Sequence, residues 1–193
     1  MGFSSIAKGV RQVFLCDGGE PQPLWWHSVV NSVAASSCVS GRVRTLLYRA
    51  MKIDIAWSTL VRPGCLIRSR RLTVGRGSTI NYACVFDNRA GVRIGDRVGI
   101  GIGVKFLNTD HDISDPDCRA GSGKSAGVLV GDGVFIGSNA VILPGVTIGD
   151  GAVIGASALV STDCEPHGLY VGVPARLVRT LPLETEPKTA TSS

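Results

Sequence analysis

The stretch VGDGVFIGSNAVILPGVTIGDGAVIGASALVSTDCE (residues 130–165) carries a large aliphatic side chain at every sixth position. A helix repeats near 3.6 residues and an uninterrupted strand repeats at 2, so a period of six fits neither element. It fits short strands joined by tight corners, three to a coil, which stack into a parallel β-helix. The smaller residue four positions after each aliphatic is predicted to face inward as well: Val134, Ala140, Val146, Ala152, Ala158 and Cys164.

The same register continues upstream of residue 130, with small slips. It forms three further triplets of inward residues: Ile55, Val61 and Ile67; Val74, Ile80 and Phe86; and Ile94, Ile100 and Phe106. Together with the two downstream triplets they predict an all-β-dominated fold of about five coils. Slightly uneven spacing between the upstream triplets indicates that some corners hold one or two extra residues.

Glycine follows many of the inward aliphatics, and the pattern predicts that these glycines adopt positive φ at the corners. They are Gly75, Gly95, Gly101, Gly131, Gly137, Gly149 and Gly155. An aspartate follows three of them, at Asp96, Asp132 and Asp150. We expect these carboxylates to accept hydrogen bonds from corner N–H groups, which is a structural role.

Composition and charge narrow the class of protein. The chain has 193 residues, 25 of them Gly, and 6% aromatic residues, which is typical of one turn-rich β domain. Its net charge of +5 belongs to the N-terminal part, but the basic residues are not interleaved with aromatics, so nucleic acid is not a predicted partner. Six cysteines without a CxxC pair indicate reduced thiols and a cytoplasmic protein, with Cys65, Cys84 and Cys164 buried in inward slots.

The two ends of the chain differ from the repeat. Residues 1–52 are predicted to form a basic helical segment, with helices over residues 24–39 and 42–52 separated by Gly41. This segment either caps the β-helix or contacts a membrane surface, and it is too polar to span a bilayer. Residues 53–180 form the predicted β-helix domain, and residues 181–193 read as a disordered tail. The cysteine usage predicts a cytoplasmic protein, and the basic N-terminal segment would allow it to lie at the inner face of the membrane.

The polar stretch NTDHDISDPDCRAGSGKSAG (residues 108–127) interrupts the repeat. The inward aliphatic expected at position 112 appears only at Val130, so the pattern predicts an extruded, mobile loop with His111 at its root. A histidine there could take a proton from a hydroxyl that attacks a thioester, although spacing alone fits a histidine without a role equally well. In extended backbone Asp110 and Asp112 would point away from the imidazole, so a backbone carbonyl or a distant carboxylate is the expected partner.

A covalent route and a metal site are the two other chemistries that cysteines and histidines could support in this chain. Cys118 in the loop is the candidate for a covalent acyl-cysteine route, but nothing nearby in the sequence would lower its pKa. The three histidines are His27, His111 and His167, and the first and last lie outside the repeats, so no metal site is predicted.

Residues 80–179 resemble the hexapeptide-repeat O-acetyltransferases, which include galactoside, maltose, nodulation-factor and capsule or exopolysaccharide acetyltransferases. The resemblance rests on INYACVFDNRAGVRIGDRVGIGIGVKFLNTDHD, on VFIGSNAVILPGVTIGDGAVIGASALV and on the terminal VGVPARLVR. It implies a left-handed β-helix, a homotrimer, and acetyl-CoA bound between subunits as a co-substrate. It also implies that His111 is the general base of a direct transfer to a sugar or polysaccharide hydroxyl.

The resemblance also assigns binding residues. Asn81 matches an acceptor contact, or is a corner residue tolerating positive φ, and Phe135 stands where relatives carry Trp beside the acceptor. Ser138, Ala156 and Ser161 match positions that line the pantetheine arm. Arg176 and Arg179 match residues near the coenzyme phosphates, or are ordinary solvated charges. Thr162 replaces a Lys that often aids phosphate binding, which places more weight on the arginines.

Other functions remain open from sequence alone. The acceptor could be an amino sugar, an amino acid or an antibiotic, and the donor could carry a longer acyl chain. A non-catalytic β-helical scaffold is the alternative from another class, because a fold does not determine a function. The loop histidine and VGVPAR argue against a scaffold, since assembly requires neither.

Overall fold

The computed structural model describes residues 23–183 of the chain, and it begins with two helical segments. Helix α1 (Leu24–His27) continues as a π-helical segment (Ser28–Ala34), and helix α2 (Gly41–Ala50) follows. The two predicted helices are therefore present but shorter. Gly41 is the first residue of α2 and does not separate the helices, because residues 35–40 make the turn.

The strands form a β-solenoid with three parallel sheets. Sheet A contains β1 (Asp54–Ile55), β4 (Leu72–Val74), β7 (Val92–Ile94), β12 (Val128–Val130) and β15 (Thr147–Ile148). Sheet B contains β2 (Leu60–Val61), β5 (Thr79–Ile80), β8 (Gly99–Ile100), β13 (Phe135–Ile136), β16 (Val153–Ile154) and β18 (Gly168–Val171), with β19 (Arg176–Thr180) antiparallel at its edge. Sheet C contains β3 (Leu66–Ile67), β6 (Val85–Asp87), β9 (Lys105–Leu107), β14 (Val141–Ile142) and β17 (Leu159–Val160). A separate antiparallel pair joins β10 (Thr109–His111) to β11 (Gly123–Ser125).

The chain runs from sheet A to B to C and then back to A, which defines an A/B, a B/C and a C/A corner in each coil. Five coils are complete in the described residues, and a sixth is begun by Cys164, which bridges to Ile148, and by β18. The solenoid thus has about six turns where the repeat predicted about five coils. The sixth was missed because Tyr170 takes the inward slot that an aliphatic fills elsewhere.

The core is a set of stacked columns, as the six-residue period predicts. All fifteen inward residues of the five triplets are buried, and so are the six smaller residues four positions on. Phe86 and Phe106 lie one above the other with their ring centroids 5.0 Å apart and nearly parallel. Cys65, Cys84 and Cys164 are buried free thiols in this core, which confirms their predicted placement.

The predicted role of the corner glycines is wrong. Positive φ occurs two residues later, at positions such as Gly77, Gly133 and Gly151, and not at the glycine that follows each aliphatic. The glycine directly after the aliphatic is required for a different reason, because the next coil leaves no room for a Cβ there. A Cβ on Gly131 would lie against Oδ1 of Asp150 and 2.8 Å from its backbone N.

The corner aspartates make the expected hydrogen bonds, and they make them between coils. Asp150 Oδ1 accepts from the N–H of Asp132 at 2.8 Å, and Asp132 Oδ1 accepts from the N–H of Asp96 at 2.8 Å. Asp96 Oδ1 accepts from the N–H of Arg76 at 2.6 Å. These hydrogen bonds link four successive coils along the A/B corner. The aspartate Oδ1 atoms lie where a Cβ on the preceding coil's corner glycine would be.

The helices cover the first coil. Trp26, Val30, Ala34 and Tyr48 are buried in the same cluster as the first-coil core. Arg44 is also buried, and its guanidinium donates to the carbonyls of Ala34, Ser36, Val39 and Val61 at 2.7–2.9 Å. These contacts correspond to capping of the β-helix, which is one of the two roles predicted for the N-terminal segment. Residues 1–22 and 184–193, with most of the predicted tail, lie outside the described residues.

Candidate active site

The predicted extruded loop leaves the C/A corner between the third and fourth coils. Its root is the β10–β11 hairpin, in which Asp110 pairs with Lys124 and His111 with Gly123. The side chains along the hairpin and its tip are mostly exposed. The histidine therefore stands on a paired strand that projects from the rigid solenoid.

Asn108 fixes the root of this hairpin. Its fully buried side chain donates from Nδ2 to the carbonyls of Gly91 at 2.9 Å and Ala126 at 2.7 Å. The N–H of Ala126 donates back to the Asn108 carbonyl at 2.9 Å. One amide thus closes the two ends of the hairpin and ties them to the corner of the preceding coil. Sequence reasoning missed Asn108, although Asn88 occupies the same position two residues after an inward phenylalanine.

The imidazole of His111 is oriented by a backbone carbonyl. Nδ1 lies 3.1 Å from the carbonyl oxygen of Gly121, across the hairpin. A carbonyl oxygen can only accept, so Nδ1 is the protonated nitrogen of the neutral imidazole, and in that form Nε2 carries the lone pair that can take a proton. Of the two expected partners, the structure therefore contains the backbone carbonyl.

Gly121 is held in place by the residue next to the histidine. Its N–H donates to the Asp112 carbonyl at 3.0 Å, and the Asp112 N–H donates to the Ser122 carbonyl at 3.1 Å. A Cβ on Gly121 would come 2.8 Å from the Asp112 carbonyl oxygen, so a larger residue would push the two strands apart. Sequence reasoning took this Gly as a sign of mobility and did not identify its carbonyl as the histidine's partner.

The flanking carboxylates serve the backbone. Asp110 Oδ1 accepts from the N–H of His111 at 2.8 Å, and Asp112 Oδ1 accepts from the N–H of Ser114 at 2.9 Å. The hydrogen bonds from Ser114 hold the pKa of Asp112 below its usual range. Both side chains stabilise local turns, as expected if neither orients the imidazole.

Three of the predicted coenzyme residues border one face of the solenoid. Ser138 and Ala156 lie on the B/C corner in consecutive coils, and Ser161 lies on the C/A corner. Between them Val141 and Leu159 point outward from sheet C and are partly buried. We call this strip, bounded by Ser138, Ala156 and Ser161, the sheet C strip.

The VGVPA turn closes the end of the strip. The N–H of Leu159 donates to the Gly172 carbonyl at 3.0 Å, and the N–H of Ala175 donates to the Leu159 carbonyl at 2.8 Å. Arg176 follows directly and is exposed, with Nη1 donating to the Ala175 carbonyl at 2.9 Å. A cation thus stands beside the end of the strip.

The other predicted residues lie apart from this strip. Phe135 projects from sheet B and is 53% exposed, and Arg179 lies on β19, paired with Leu169. Asn81 lies on the B/C corner two coils before Ser138, and its Oδ1 accepts from the N–H of Tyr82 at 3.0 Å. Positive φ at that corner belongs to Ala83 and not to Asn81. One chain therefore gathers Ser138, Ala156, Ser161 and Arg176, but does not bring them, His111 and Phe135 onto one face.

A shallow groove of about 440 Å³ lies elsewhere, on the outer face of sheet A. Thr73, Arg93, Leu129 and Thr147 line it, and none of the predicted site residues does. The positions of the predicted residues, and not this groove, therefore define the candidate site.

The cysteine thiols and the potential metal ligands are the remaining reactive groups. Cys118 is exposed in the hairpin tip, and its N–H donates to the Asp115 carbonyl at 3.3 Å. Burial raises the pKa of Cys164 to about 11. Within residues 23–183, no group of three His, Cys, Asp or Glu side chains is arranged to hold a metal ion. In the same residues no helix has the length and apolar character needed to cross a bilayer.

Comparison with known proteins identifies relatives that share this repeat and this fold. The family model for bacterial transferase hexapeptide (six repeats) matches residues 127–162. Nodulation protein L of Rhizobium meliloti (strain 1021) is 42% identical over 125 residues, which are 61% of this chain and 68% of that protein. This chain spans only about half of two further curated relatives. It matches 51% of a putative acetyltransferase of Schizosaccharomyces pombe and 52% of the galactoside O-acetyltransferase of Escherichia coli.

Two solved structures share the fold over most of the chain. A galactoside acetyltransferase in complex with coenzyme A has a TM-score of 0.76 and 29% identity, covering 82% of this chain and 80% of that one. A hexapeptide-repeat acetyltransferase from Vibrio cholerae O1 biovar eltor, complexed with acetyl coenzyme A, has a TM-score of 0.72 and 27% identity. That match covers 82% of this chain and 88% of the other.

Proposed function

This chain belongs to the hexapeptide-repeat acetyltransferase family, and we propose that it transfers an acetyl group from acetyl-CoA to a hydroxyl of a sugar or polysaccharide precursor. The observation that carries the proposal is the hydrogen-bond distance between His111 Nδ1 and the Gly121 carbonyl. It presents Nε2 as a proton acceptor on an exposed, rigidly rooted hairpin. The acceptor class is supported by the similarity to a galactoside acetyltransferase.

The proposed reaction is a direct transfer. Nε2 of His111 removes the acceptor hydroxyl proton while the oxygen attacks the thioester carbonyl. The C–S bond then breaks, the thiolate of coenzyme A leaves, and the imidazolium returns the proton to it. General base catalysis of this kind contributes roughly 10²–10⁴-fold to the rate, and alignment of the two substrates contributes further.

The sheet C strip is the proposed seat of the donor. Val141 and Leu159 give it an apolar floor for the pantetheine arm, and the corners at Ser138, Ala156 and Ser161 offer backbone groups along both edges. Arg176 and Arg179 supply positive charge for the coenzyme phosphates, where a guanidinium binds well. The two similar solved structures were obtained with coenzyme A and acetyl coenzyme A, which supports a coenzyme site on this fold.

The complete site is proposed to form between subunits of a homotrimer. Phe135 lies on sheet B, apart from the sheet C strip, and His111 stands on a hairpin that projects from the C/A corner, so a neighbouring copy packed beside this corner would complete the site. Exposed apolar side chains near this region, Leu66, Tyr82 and Ile102, are 46–48% exposed and would be buried by such an assembly. The enzyme is further proposed to act in the cytoplasm, where acetyl-CoA is available.

The proposal is tested by following thiol release from acetyl-CoA over a panel of sugars, nucleotide sugars and amines. Wild type is expected to release coenzyme A with at least one hydroxyl acceptor, and Cys118→Ser is expected to match it. Release with amines alone would overturn the O-acetyl assignment. Loss of activity in Cys118→Ser, together with an acetylated wild-type cysteine, would replace direct transfer by a covalent route.

A further inference from the structure

The capped end of the solenoid carries an exposed surface that the proposed reaction does not use. Six large apolar side chains there are 48–86% exposed: Leu24, Trp25, Val33, Val43, Leu46 and Trp57. We call them, together with Arg42 and Arg49, the cap surface. So many exposed large apolar residues on one end indicate a contact surface and not chance exposure.

Helix α2 shows how this surface is built. Arg44, Thr45 and Tyr48 face the first coil and are buried. The opposite stripe carries Arg42, Val43, Leu46, Arg49 and Ala50, all exposed. Apolar and cationic side chains thus share the outward face of the helix, which is the composition of helices that lie in a membrane interface.

The aromatic residues add a second interfacial feature. The Arg49 guanidinium lies 4.7 Å from the centroid of the Trp57 ring, and Trp25 on α1 is 57% exposed. Trp side chains favour the headgroup level of a bilayer, where the ring is half in apolar and half in wet surroundings. Arg49 Nη1 donates to the Ile55 carbonyl at 2.5 Å, and the remaining N–H groups of its guanidinium can donate to lipid phosphates while its stem covers apolar surface.

The positive charge of the capped end favours an anionic partner. Residues 23–71 contain eight Lys and Arg against one acidic residue, Asp54. A second copy of the same surface would bring like charges together. Residues 1–22 of this chain carry two basic and two acidic residues, so they offer no complementary charge. A nucleic acid would leave Leu24, Val33, Val43 and Leu46 without apolar partners.

We propose that the cap surface binds the surface of an anionic lipid bilayer, with the apolar side chains in the headgroup region and the arginines on lipid phosphates. An inserted helix face of this kind reaches roughly 5–10 Å into the boundary, so the solenoid remains in water. The binding is peripheral and screened by salt. It would hold the enzyme close to acceptors that are themselves lipid-linked.

The three tryptophans of the chain, Trp25, Trp26 and Trp57, all lie in this capped end, so intrinsic fluorescence reports on it alone. Full-length protein is mixed with phosphatidylcholine vesicles that contain or lack phosphatidylglycerol, and bound protein is separated by flotation. We expect a blue shift and flotation with phosphatidylglycerol only, both weakened by salt. Arg42→Glu, a two-unit change in charge, is expected to weaken binding roughly thirty-fold, and Leu46→Ser about tenfold.

Matched controls carry the same changes on sheet A. Arg93→Glu and Leu129→Ser alter an exposed Arg and a Leu that is 46% exposed, against 52% for Leu46, and both should bind like wild type. The proposal is overturned if the cap and control variants bind equally, or if the protein does not bind phosphatidylglycerol vesicles, whether or not it binds a DNA oligonucleotide. It is also overturned if acrylamide quenches none of the tryptophan fluorescence of the vesicle-free protein, because the exposed Trp25 and Trp57 would then be covered.

Discussion

Two glycines in one A/B corner test how the coils are held together. Gly131 has ordinary negative φ, but a Cβ there would press on Oδ1 and N of Asp150 in the next coil. Gly133 has φ +64°, and a Cβ there would meet nothing within 4 Å. The account therefore predicts that Gly131→Ala is much more damaging than Gly133→Ala, although only Gly133 has the backbone conformation usually reserved for glycine.

The magnitudes follow from these contacts. Gly133→Ala costs roughly 1–2 kcal/mol for the left-handed backbone, offset by about 0.4–1 kcal/mol from the reduced entropy of the unfolded chain. Gly131→Ala costs roughly 1–3 kcal/mol for overpacking and about 1 kcal/mol for the displaced hydrogen bond between Asp132 N–H and Asp150, and the same unfolded-chain offset leaves about 1–3.5 kcal/mol. At about 2–4 °C per kcal/mol for a chain of this size, melting should fall roughly 4–11 °C for Gly131→Ala. The fall for Gly133→Ala should be roughly 1–4 °C.

Thermal unfolding followed by far-UV circular dichroism measures both changes at matched protein concentration. An intermediate check is Asp150→Asn, which keeps the side-chain shape and an acceptor oxygen and should lower melting less than Gly131→Ala. The reasoning is refuted if Gly133→Ala destabilises as much as Gly131→Ala, because backbone conformation and not the contact between coils would then dominate.

Three further predictions concern the hairpin and the thiols. Asn108→Ala leaves the carbonyls of Gly91 and Ala126 without their donor, and it should lower kcat at least tenfold with little change in coenzyme affinity. Asn88→Ala, the matched amide one coil earlier, should lower the urea midpoint while sparing kcat, and equal kcat losses in the two variants would contradict a specific role for Asn108. In the native protein, thiol-reactive reagents followed by mass spectrometry should label Cys38 and Cys118 but not Cys65, Cys84 or Cys164, since among the five cysteines of residues 23–183 the first two are exposed and the other three buried. Rapid labelling of Cys164 would show that its coil opens. Burial raises the pKa of Cys164 to about 11, so the unfolded chain loses the thiol proton at a lower pH than the folded chain does. The contribution of this thiol to stability is therefore present below about pH 9 and is lost as pH rises toward 11. Cys164→Ala should flatten the alkaline decline in urea midpoints, and an unchanged pH profile would contradict the raised pKa of Cys164.

The periodic part of the fold was predictable because each inward position is decided locally. An aliphatic every six residues must face inward if the strands are short, so the core columns, the extruded loop and the buried cysteines followed from spacing. The reason for the corner glycines was not predictable in this way. Gly131 is needed because Asp150 lies above it, and that contact depends on how one coil stacks on the next.

The candidate site shows the same division. The position of the loop makes His111 a candidate base, the family resemblance favours that role, and extended backbone predicts a partner other than its two neighbours. Its partner could not, because Gly121 is brought opposite only by hairpin pairing, and a main-chain carbonyl has no signature in sequence. Asn108 was overlooked because an amide two residues after an aliphatic looks like any polar corner residue until its burial is known.

The most direct test of the proposed mechanism compares wild type with His111→Ala. Acetyl transfer to the best acceptor is measured under saturating acetyl-CoA, and coenzyme binding is measured separately by calorimetry. The account predicts that kcat falls roughly 10²–10⁴-fold while the dissociation constant for acetyl-CoA stays the same. A variant that binds acetyl-CoA normally and transfers at the wild-type rate would contradict the assignment of His111 as the base.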